Sequence, residues 1–237
     1  LVLQARSQIA EMQLGPTAFE KIKQETPITQ DPALNALLQK VGQRVAAAAA
    51  KDLPDAKWEF VLFDSDQANA FCLPGGKVGV YTGILPITQD EAGLATVIGH
   101  EVAHAAAHHS AERMSQTIAA QTGGQVLGVA SSSLDPRVGA LLQLAYPAAT
   151  QLGVLLPYSR LQESEADHLG LIYMAAAGYD PEAAIGFWKR FSAYNQAQGA
   201  GSPPAFLRTH PLDEDRIEHI RELIPEAKAR YQVISAQ

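Results

Sequence analysis

Two short motifs constrain this chain of 237 residues more than any other feature of it. The first reads His100-Glu101-Val102-Ala103-His104, and the second, further along, reads Glu163-Ser164-Glu165-Ala166-Asp167. In an α-helix, residues four apart lie one above the other on one face, roughly 6 Å from each other. The spacing therefore predicts two helices, one with paired imidazoles and one with paired carboxylates. Either motif alone could arise by chance, but together they favour one common site.

Two imidazoles and a carboxylate form a ligand set that catalytic zinc sites use. We therefore predict that His100, His104 and Glu163 bind one Zn²⁺ ion and leave one coordination position open. Glu101 lies about 100° round the helix from His100, so it borders the metal face without being a ligand. This position predicts a general base that takes a proton from water. The alternative, a solvated helix glutamate, is disfavoured by the apolar residues around it.

The second motif also supplies a residue behind the ligands. Asp167 lies one helical turn after Glu163, and a fourth ligand there would close the site. We expect Asp167 to accept the second ring N–H of a zinc histidine and to fix its orientation. Glu165 falls on a different face and is expected at the surface.

Two more histidines follow the first motif. His108 shares the face of His100, but it is two turns away, about 12 Å, so it cannot join the same ion. It either lines the cleft or lies on the helix surface. His109 is expected to point elsewhere.

The composition sets broad limits on fold and partners. A hydrophobic content of 47% predicts one substantial core, and hence one domain over residues 1–237. The net charge of −7, without a basic stripe, excludes nucleic acid as an expected partner. The single cysteine, Cys72, cannot form an intramolecular disulfide, so cysteine usage does not fix the compartment. Cys72 is interpreted as a buried small apolar residue rather than a nucleophile or zinc ligand.

Helix signals define much of the chain. Asp31 before Pro32 predicts a helix to about Lys51. Thr88, with Glu91 three residues on, is typical of a capping box and predicts that the zinc helix starts there and runs to about Ala120. Three more helices are predicted at about Ser159 to Gly178, Asp180 to Gln196, and Pro211 to Ile224. Pro225 is expected to stop the last of them.

Three extended segments are predicted at Trp58–Phe63, Asn69–Leu73 and Lys77–Thr82. Gly79, inside the third, indicates a close backbone approach or a bulge. The Lys77–Thr82 strand is either the sheet edge along which an extended peptide substrate binds or an ordinary strand of a small sheet.

The single predicted domain has four consecutive parts. They are N-terminal helices at about 1–55, a sheet and zinc-helix part at 56–121, a lid or loop region at 122–158, and the third-ligand helix with C-terminal helices at 159–237. Within the third part, the uncharged segment Val138–Ser159 contains prolines and amides. It predicts one or two buried or lid helices, with peripheral membrane contact as the alternative.

Several further segments accompany the two motifs. They are Gln13–Gly15, Asn69–Gly76, Tyr81–Leu85 and Thr209-His210-Pro211, with Arg216 six residues after the histidine. Together these features resemble the gluzincin zinc metallopeptidases of the HtpX and CAAX-prenyl-protease (Ste) type, closest to their soluble, periplasmic BepA-like branch. The resemblance covers most of the chain. It implies a mostly helical α+β domain with a small β-sheet beside the zinc helix.

The resemblance also implies roles for individual residues. It implies zinc on His100, His104 and Glu163, with Glu101 as general base and Asp167 behind a zinc histidine. His210 matches a histidine near the zinc of relatives, which assists the transition state or occupies the open position as an autoinhibitory ligand. Arg216 matches an arginine beside that histidine.

The function implied is a zinc endopeptidase that acts on unfolded or misassembled exported proteins. The chain is then periplasmic or otherwise exported in a bacterial envelope, with membrane association left open. Hydrophobic spans of membrane-embedded relatives are missing here, which disfavours processing of prenylated proteins. One alternative is a chaperone-like binding module whose zinc site is held latent by His210. Another is a zinc-stabilised structural domain in which Glu101 is dispensable. The oligomeric state stays open.

Overall fold

The computed structural model describes residues 15–109, 158–199, 203–212 and 215–231. Over these residues the protein is a mostly helical α+β fold with one three-stranded sheet, as predicted. The predicted lid region, up to residue 157, lies outside the described residues, as do residues 13 and 14. None of the described helices is both long enough and apolar enough to cross a membrane.

The helices, in chain order, are α1 (15–25), α2 (Pro32–Ala48), α3 (Leu85–Thr88), α4 (Glu91–Ala106), α5 (Arg160–Ala176), α6 (Ala183–Ala197), α7 (Ala205–Thr209) and α8 (Arg216–Lys228). A 3-10 turn at Thr82–Ile84 precedes α3. The N-terminus of α2 is as predicted, because Asp31 Oδ1 accepts hydrogen bonds from the backbone of Ala33 and Leu34 at 2.8 and 3.0 Å.

The strands are β1 (Glu59–Phe63), β2 (Ala70–Leu73) and β3 (Lys77–Tyr81), each within one residue of its prediction. Their order is β1-β3-β2, with β3 parallel to β1 and antiparallel to β2. Of the two alternatives for Lys77–Thr82, the substrate-binding edge is therefore wrong, because both sides of β3 are already hydrogen-bonded, and the ordinary strand of a small sheet is confirmed. Gly79 is not at a bulge; a Cβ there would lie 2.3 Å from the Phe71 ring.

Helix α4 is the central element of the core. Every residue from Gly93 to His104 is buried. Helix α5 crosses α4 at two glycines, since a Cβ on Gly170 would lie 2.9 Å from the His100 backbone nitrogen and one on Gly99 would lie 2.8 Å from the Gly170 carbonyl oxygen. The close crossing brings the face of α5 that carries Glu163 against the histidine face of α4.

The predicted start of α4 at Thr88 is wrong by two residues. Thr88 ends α3, and its hydroxyl donates to the Leu85 carbonyl oxygen at 3.0 Å. Gln89 then adopts φ 67, which breaks the helix. Asp90 is the N-cap, and its Oδ1 accepts from the Gly93 backbone at 2.8 Å.

The predicted end of α4 at about Ala120 is also wrong. The helix ends at Ala106, and His108 takes the left-handed value φ 56. This reversal turns His109 back onto His104. Neither glycine nor proline marks the position, so the sequence carried no end signal.

Helix α5 has the predicted ends. Ser159 is its N-cap in a reciprocal capping box with Gln162, and Gly178 lies beyond its C-terminus at φ 86. Helix α6 begins at Ala183, three residues after the predicted start at Asp180. Before the helix, Asp180 Oδ1 accepts a hydrogen bond from the Glu182 backbone and forms a turn.

The predicted bounds of the last helix are wrong at both ends. Helix α8 starts at Arg216, and Pro225 lies inside it. The buried residues Ile220, Ile224 and Ala227 follow a helical repeat across the proline. Burial of Ala227 therefore continues on the same face although Pro225 removes one backbone donor.

Candidate metal centre

Four buried side chains bring their donor atoms into one cluster, with all of these atoms within 4.8 Å of one another. His100 and His104 come from α4 and Glu163 from the first turn of α5. His210 is the C-cap residue of the short helix α7. The two motifs of the sequence thus meet, and the histidine named only through resemblance joins them.

The spacing of the donors fits a metal ion. His100 Nε2 lies 3.1 Å from His104 Nε2 and 3.1 Å from His210 Nδ1. The carboxylate oxygens of Glu163 lie 3.4 Å from His100 Nε2, 3.2 Å from His104 Nε2 and 3.0 Å from His210 Nδ1. Ligands about 2.0–2.1 Å from a tetrahedral zinc ion are separated by about 3.3–3.4 Å. Three imidazoles and one carboxylate at this spacing are a suitable donor set for zinc.

Asp167 and Arg216 lie behind the cluster. Asp167 Oδ1 is 3.0 Å from His100 Nδ1, the ring nitrogen that faces away from the other donors. The Arg216 guanidinium donates from Nε and Nη2 to the two Asp167 oxygens, both at 2.8 Å. Its Nη1 lies 2.7 Å from Glu163 Oε2, and the group stacks 3.6 Å over the Trp188 ring. Arg216 therefore holds the carboxylates of Glu163 and Asp167 in place.

Burial and ion pairing act on these groups in opposite directions. Burial opposes ionisation of Glu163, but His210 and Arg216 outweigh it and hold its pKa well below the usual range. Burial likewise opposes a charge on His100, yet Glu163 and Asp167 raise its pKa to about 9. At His104 burial dominates and lowers the pKa well below the usual value. A metal cation would stabilise the same carboxylates that now favour a proton on His100.

Glu101 lies beside the cluster with its side chain 3% exposed. Its Oε1 is 3.2 Å from His210 Nε2. Burial raises the pKa of this carboxyl, opposed by the nearby histidines. A buried carboxyl with a raised pKa is suited to general acid–base chemistry.

Aromatic rings close the site on two sides. Tyr158 stacks on His104 with ring centroids 3.8 Å apart, and Phe206 stacks on His210 at 4.4 Å. A narrow cleft beside them is lined by Asn69, Ala70, Phe71, Cys72, Glu101, Tyr158, Thr209 and His210. Cys72 is buried as predicted, and burial raises the pKa of its thiol, which disfavours a nucleophilic role.

The predictions for His108 and His109 are partly wrong. His108 is exposed, which matches the surface alternative. His109 does not point away; it is 2% exposed and its Nδ1 lies 2.9 Å from His104 Nδ1. Helical periodicity could not place it, because the helix ends before it. Glu165 is 56% exposed as expected, but its Oε2 lies 3.3 Å from His109 Nε2.

Comparison with known proteins agrees with this geometry. The sequence profile of peptidase family M48 matches residues 32–224, which includes every donor of the cluster. The chain belongs to peptidase family M48. This confirms the resemblance to gluzincin metallopeptidases that the motifs indicated.

Individual M48 relatives are similar over most of the chain. The mitochondrial metalloendopeptidase OMA1 of Schizosaccharomyces pombe is 41% identical over 81% of the chain and 54% of the relative. A putative beta-barrel assembly-enhancing protease of Vibrio cholerae is 34% identical over 90% of the chain and 43% of the relative. The beta-barrel assembly-enhancing protease of Escherichia coli is 29% identical over 89% and 43%. The chain thus spans about half the length of these M48 relatives.

Proposed function

We propose that the chain is a zinc-dependent endopeptidase with the metal held by His100, His104 and Glu163. The observation that carries the proposal is the buried cluster of four donors within 4.8 Å of one another, with Glu101 against it. Membership of a peptidase family and the metalloendopeptidase name of a relative support it.

Each side chain of the site has its own proposed role. Bound zinc supplies a Lewis acid that activates water and polarises a peptide carbonyl. Glu101 accepts a proton from the attacking water and returns it to the leaving amine. Asp167 fixes the ring of His100, and Arg216 holds Asp167 and Glu163 against rotation. Arg216 acts through these carboxylates, so we propose a positioning role for it rather than a catalytic one.

Strand β2, in place of β3, is the proposed binding edge for an extended peptide. Among the described residues β2 pairs with β3 alone. The Asn69 carbonyl faces β3, so the alternation of an antiparallel pair turns the backbone of Ala70 and Cys72 outward. These two residues line the cleft that contains Glu101. A substrate strand beside β2 would pass directly along the site.

The proposed substrates are unfolded or misassembled proteins of a bacterial envelope, and the proposed location is periplasmic or otherwise exported. Relatives named beta-barrel assembly-enhancing proteases support this choice. Other relatives are named as mitochondrial metalloendopeptidases, so an organellar location is the alternative.

One further candidate function has a specific observation in its favour. His210 Nδ1 takes a place among the donors at 3.0–3.1 Å from its neighbours, where an open coordination position would otherwise be. If His210 stays in that position, the chain would act as a chaperone-like binding module with a latent zinc site. Such a module would bind unfolded protein whether or not Glu101 is present.

Cleavage of casein by zinc-loaded protein tests the proposed function. We expect cleavage that stops on metal chelation, returns with zinc, and is lost in Glu101→Gln while zinc content stays at one ion per chain. Cleavage that persists in Glu101→Gln would overturn the assignment of the base. Suppression of casein aggregation by wild type and Glu101→Gln alike, without cleavage in any variant including His210→Ala, would favour the binding module.

A further inference from the structure

His109 lies just after α4 and is buried against a proposed metal ligand. Its exposed fraction is 2%, and its Nδ1 is 2.9 Å from His104 Nδ1. His108 reaches this reversal through φ 56, a left-handed value that only a few per cent of residues other than glycine adopt. The turn places a polar ring in the interior, where its nitrogens need hydrogen-bond partners.

The direction of the hydrogen bond follows from the other nitrogen of His104. His104 Nε2 faces the donor cluster, 3.1 Å from His100 Nε2 and 3.2 Å from Glu163 Oε1. If Nε2 presents its lone pair to a cation, the ring proton must lie on Nδ1. His109 Nδ1 must then accept that proton in a hydrogen bond, which places the proton of His109 on its Nε2.

The outer end of His109 satisfies the same requirement. Its Nε2 lies 3.3 Å from Glu165 Oε2, a carboxylate that can only accept while ionised. Every contact in the series His104, His109, Glu165 therefore pairs one donor with one acceptor. The direction of donation is the same at each step, from His104 at the donor cluster to Glu165, whose side chain is 56% exposed to solvent.

The arrangement at His100 provides a parallel within the same site. There the outward nitrogen lies 3.0 Å from Asp167, which Arg216 holds with two hydrogen bonds. Each α4 histidine thus has a group that can accept a proton within 3.0 Å of its outward nitrogen. One acceptor is a buried carboxylate, and the other is an imidazole that connects to an exposed carboxylate.

We propose that His109 is a positioning residue for the metal centre, which accepts the Nδ1–H of His104 and fixes its tautomer and ring orientation, with Glu165 as the outer acceptor. This inference rests on the proposed function, because it assumes that His104 is a ligand. Loss of such an outer partner typically lowers metal affinity about 10- to 100-fold.

A purely structural role for His109 makes a different prediction. A buried side chain that only fills space is replaced by an apolar residue of similar volume with little effect on the metal. His109→Leu keeps the volume and removes the acceptor. His109→Gln keeps an amide oxygen that can accept from His104 Nδ1. His108→Asn serves as the matched control, since it removes the adjacent exposed histidine and tolerates the left-handed backbone.

Competition with a chromophoric chelator measures the zinc dissociation constant of each variant in the full chain. We expect His109→Leu to bind zinc about 10- to 100-fold more weakly, His109→Gln within about threefold of wild type, and His108→Asn like wild type. Circular dichroism after zinc removal checks that each variant is folded. Cobalt-loaded His109→Leu should also show an altered d–d spectrum.

Two results would overturn the proposal. One is wild-type zinc affinity in folded His109→Leu. The other is a loss in folded His109→Gln as large as that in His109→Leu. Failure of the proposed metal centre looks different, because wild type itself would then bind no zinc and His104→Ala would change nothing. Failure of the peptidase activity alone would show as absence of casein cleavage, with these zinc affinities unchanged.

Discussion

His210 Nε2 lies 3.2 Å from Glu101 Oε1, while Nδ1 of the same ring lies 3.0 Å from Glu163 Oε1. One imidazole therefore joins the donor cluster to the proposed general base. In this position it takes the place where a fourth ligand would bind and also lies against the carboxyl that is proposed to receive a proton. On this proposal the ring must move before a peptide carbonyl and a water can enter.

Removal of this ring should increase peptidase activity. We expect His210→Ala to cleave casein at least about tenfold faster than wild type. This factor corresponds to a free energy of about 1.4 kcal/mol that wild type needs to move the His210 ring out of the site. The physical reason is that the alanine leaves a coordination position and Glu101 accessible. The measurement is the initial rate at saturating zinc.

Two controls accompany His210→Ala. His168→Ala removes a half-exposed histidine that contacts Glu226 and should leave the rate unchanged. The double variant His210→Ala/Glu101→Gln should be inactive. A fall in activity of His210→Ala would instead show that His210 assists the transition state.

The crossing of α4 and α5 should tolerate no side chain at Gly170. A methyl group there would lie 2.9 Å from the His100 nitrogen and 3.0 Å from the Gly99 carbonyl carbon. We expect Gly170→Ala to lower the free energy of unfolding by about 1–3 kcal/mol and to weaken zinc binding, because the helices must separate. Urea unfolding and chelator competition measure the two effects.

Gly186 offers a matched control on α6. A methyl group there meets only Nη1 of Arg190, at 3.0 Å, while Nε and Nη2 of that side chain donate to the Ile87 and Thr88 carbonyl oxygens. Since no backbone atom is in the way, we expect Gly186→Ala to change the free energy of unfolding by less than about 1 kcal/mol in either direction. Equal loss of stability in both variants would contradict the importance of the crossing.

Arg216 should be a strong determinant of stability. Arg216→Met leaves the buried carboxylates of Asp167 and Glu163 without their partner, and we expect a loss of about 3–5 kcal/mol in unfolding free energy. The double variant Arg216→Met/Asp167→Leu should be more stable than Arg216→Met alone, because one of the unpaired charges is gone.

The same variants separate two roles for Arg216. A positioning role predicts weaker zinc binding in Arg216→Met, measured by chelator competition in the folded protein. Wild-type zinc affinity combined with a large fall in the rate at saturating zinc would instead assign Arg216 a catalytic role.

The ion pairs of Glu59 should make stability depend on pH. Glu59 contacts Lys23 at 2.7 Å and Lys77 at 3.2 Å, and its hydrogen bond with Lys23 lowers its pKa below the ordinary value of 4.5 despite partial burial. A carboxyl with a lowered folded pKa contributes stability above its unfolded pKa and loses it as the pH falls through the folded one. We expect Glu59→Gln to be less stable at pH 7 by up to about 1 kcal/mol.

Thermal unfolding from pH 7 downward measures this contribution. The difference between wild type and Glu59→Gln should persist to about pH 4.5 and shrink below it. Glu25→Gln, which removes an exposed carboxylate, controls for the change in net charge. A difference that stays constant down to the acid limit would contradict the role of ionised Glu59.

Local signals in the sequence predicted most secondary structure correctly. The N-caps Asp31 and Ser159 and the left-handed Gly178 mark helix ends through hydrogen bonds and backbone angles within a few residues. The same kind of signal gave a wrong helix start at Thr88 and a wrong helix end at Pro225. At Thr88 another residue supplied the cap, and at Pro225 burial of the apolar face continued the helix.

Motif spacing likewise predicted which side chains of the two helices share a face and meet in the candidate site. His100 and His104 share a face of α4 because four residues make about one helical turn, and Glu163 shares a face of α5 with Asp167 for the same reason. These relations depend only on helical geometry, which the sequence determines locally. The family resemblance added His210 and Arg216 without giving their distances.

The sequence by itself determined the two helices, their ligand faces and the chemistry of their donors, because each of these depends on neighbours within one or two turns. Only the tertiary structure decided that β3 is central in the sheet, that His109 turns back onto His104, and that His210 joins Glu101 to the donors. These contacts connect residues that are apart in sequence or separated by a chain reversal. They form only where close packing, as at Gly99 and Gly170, brings distant backbone segments together.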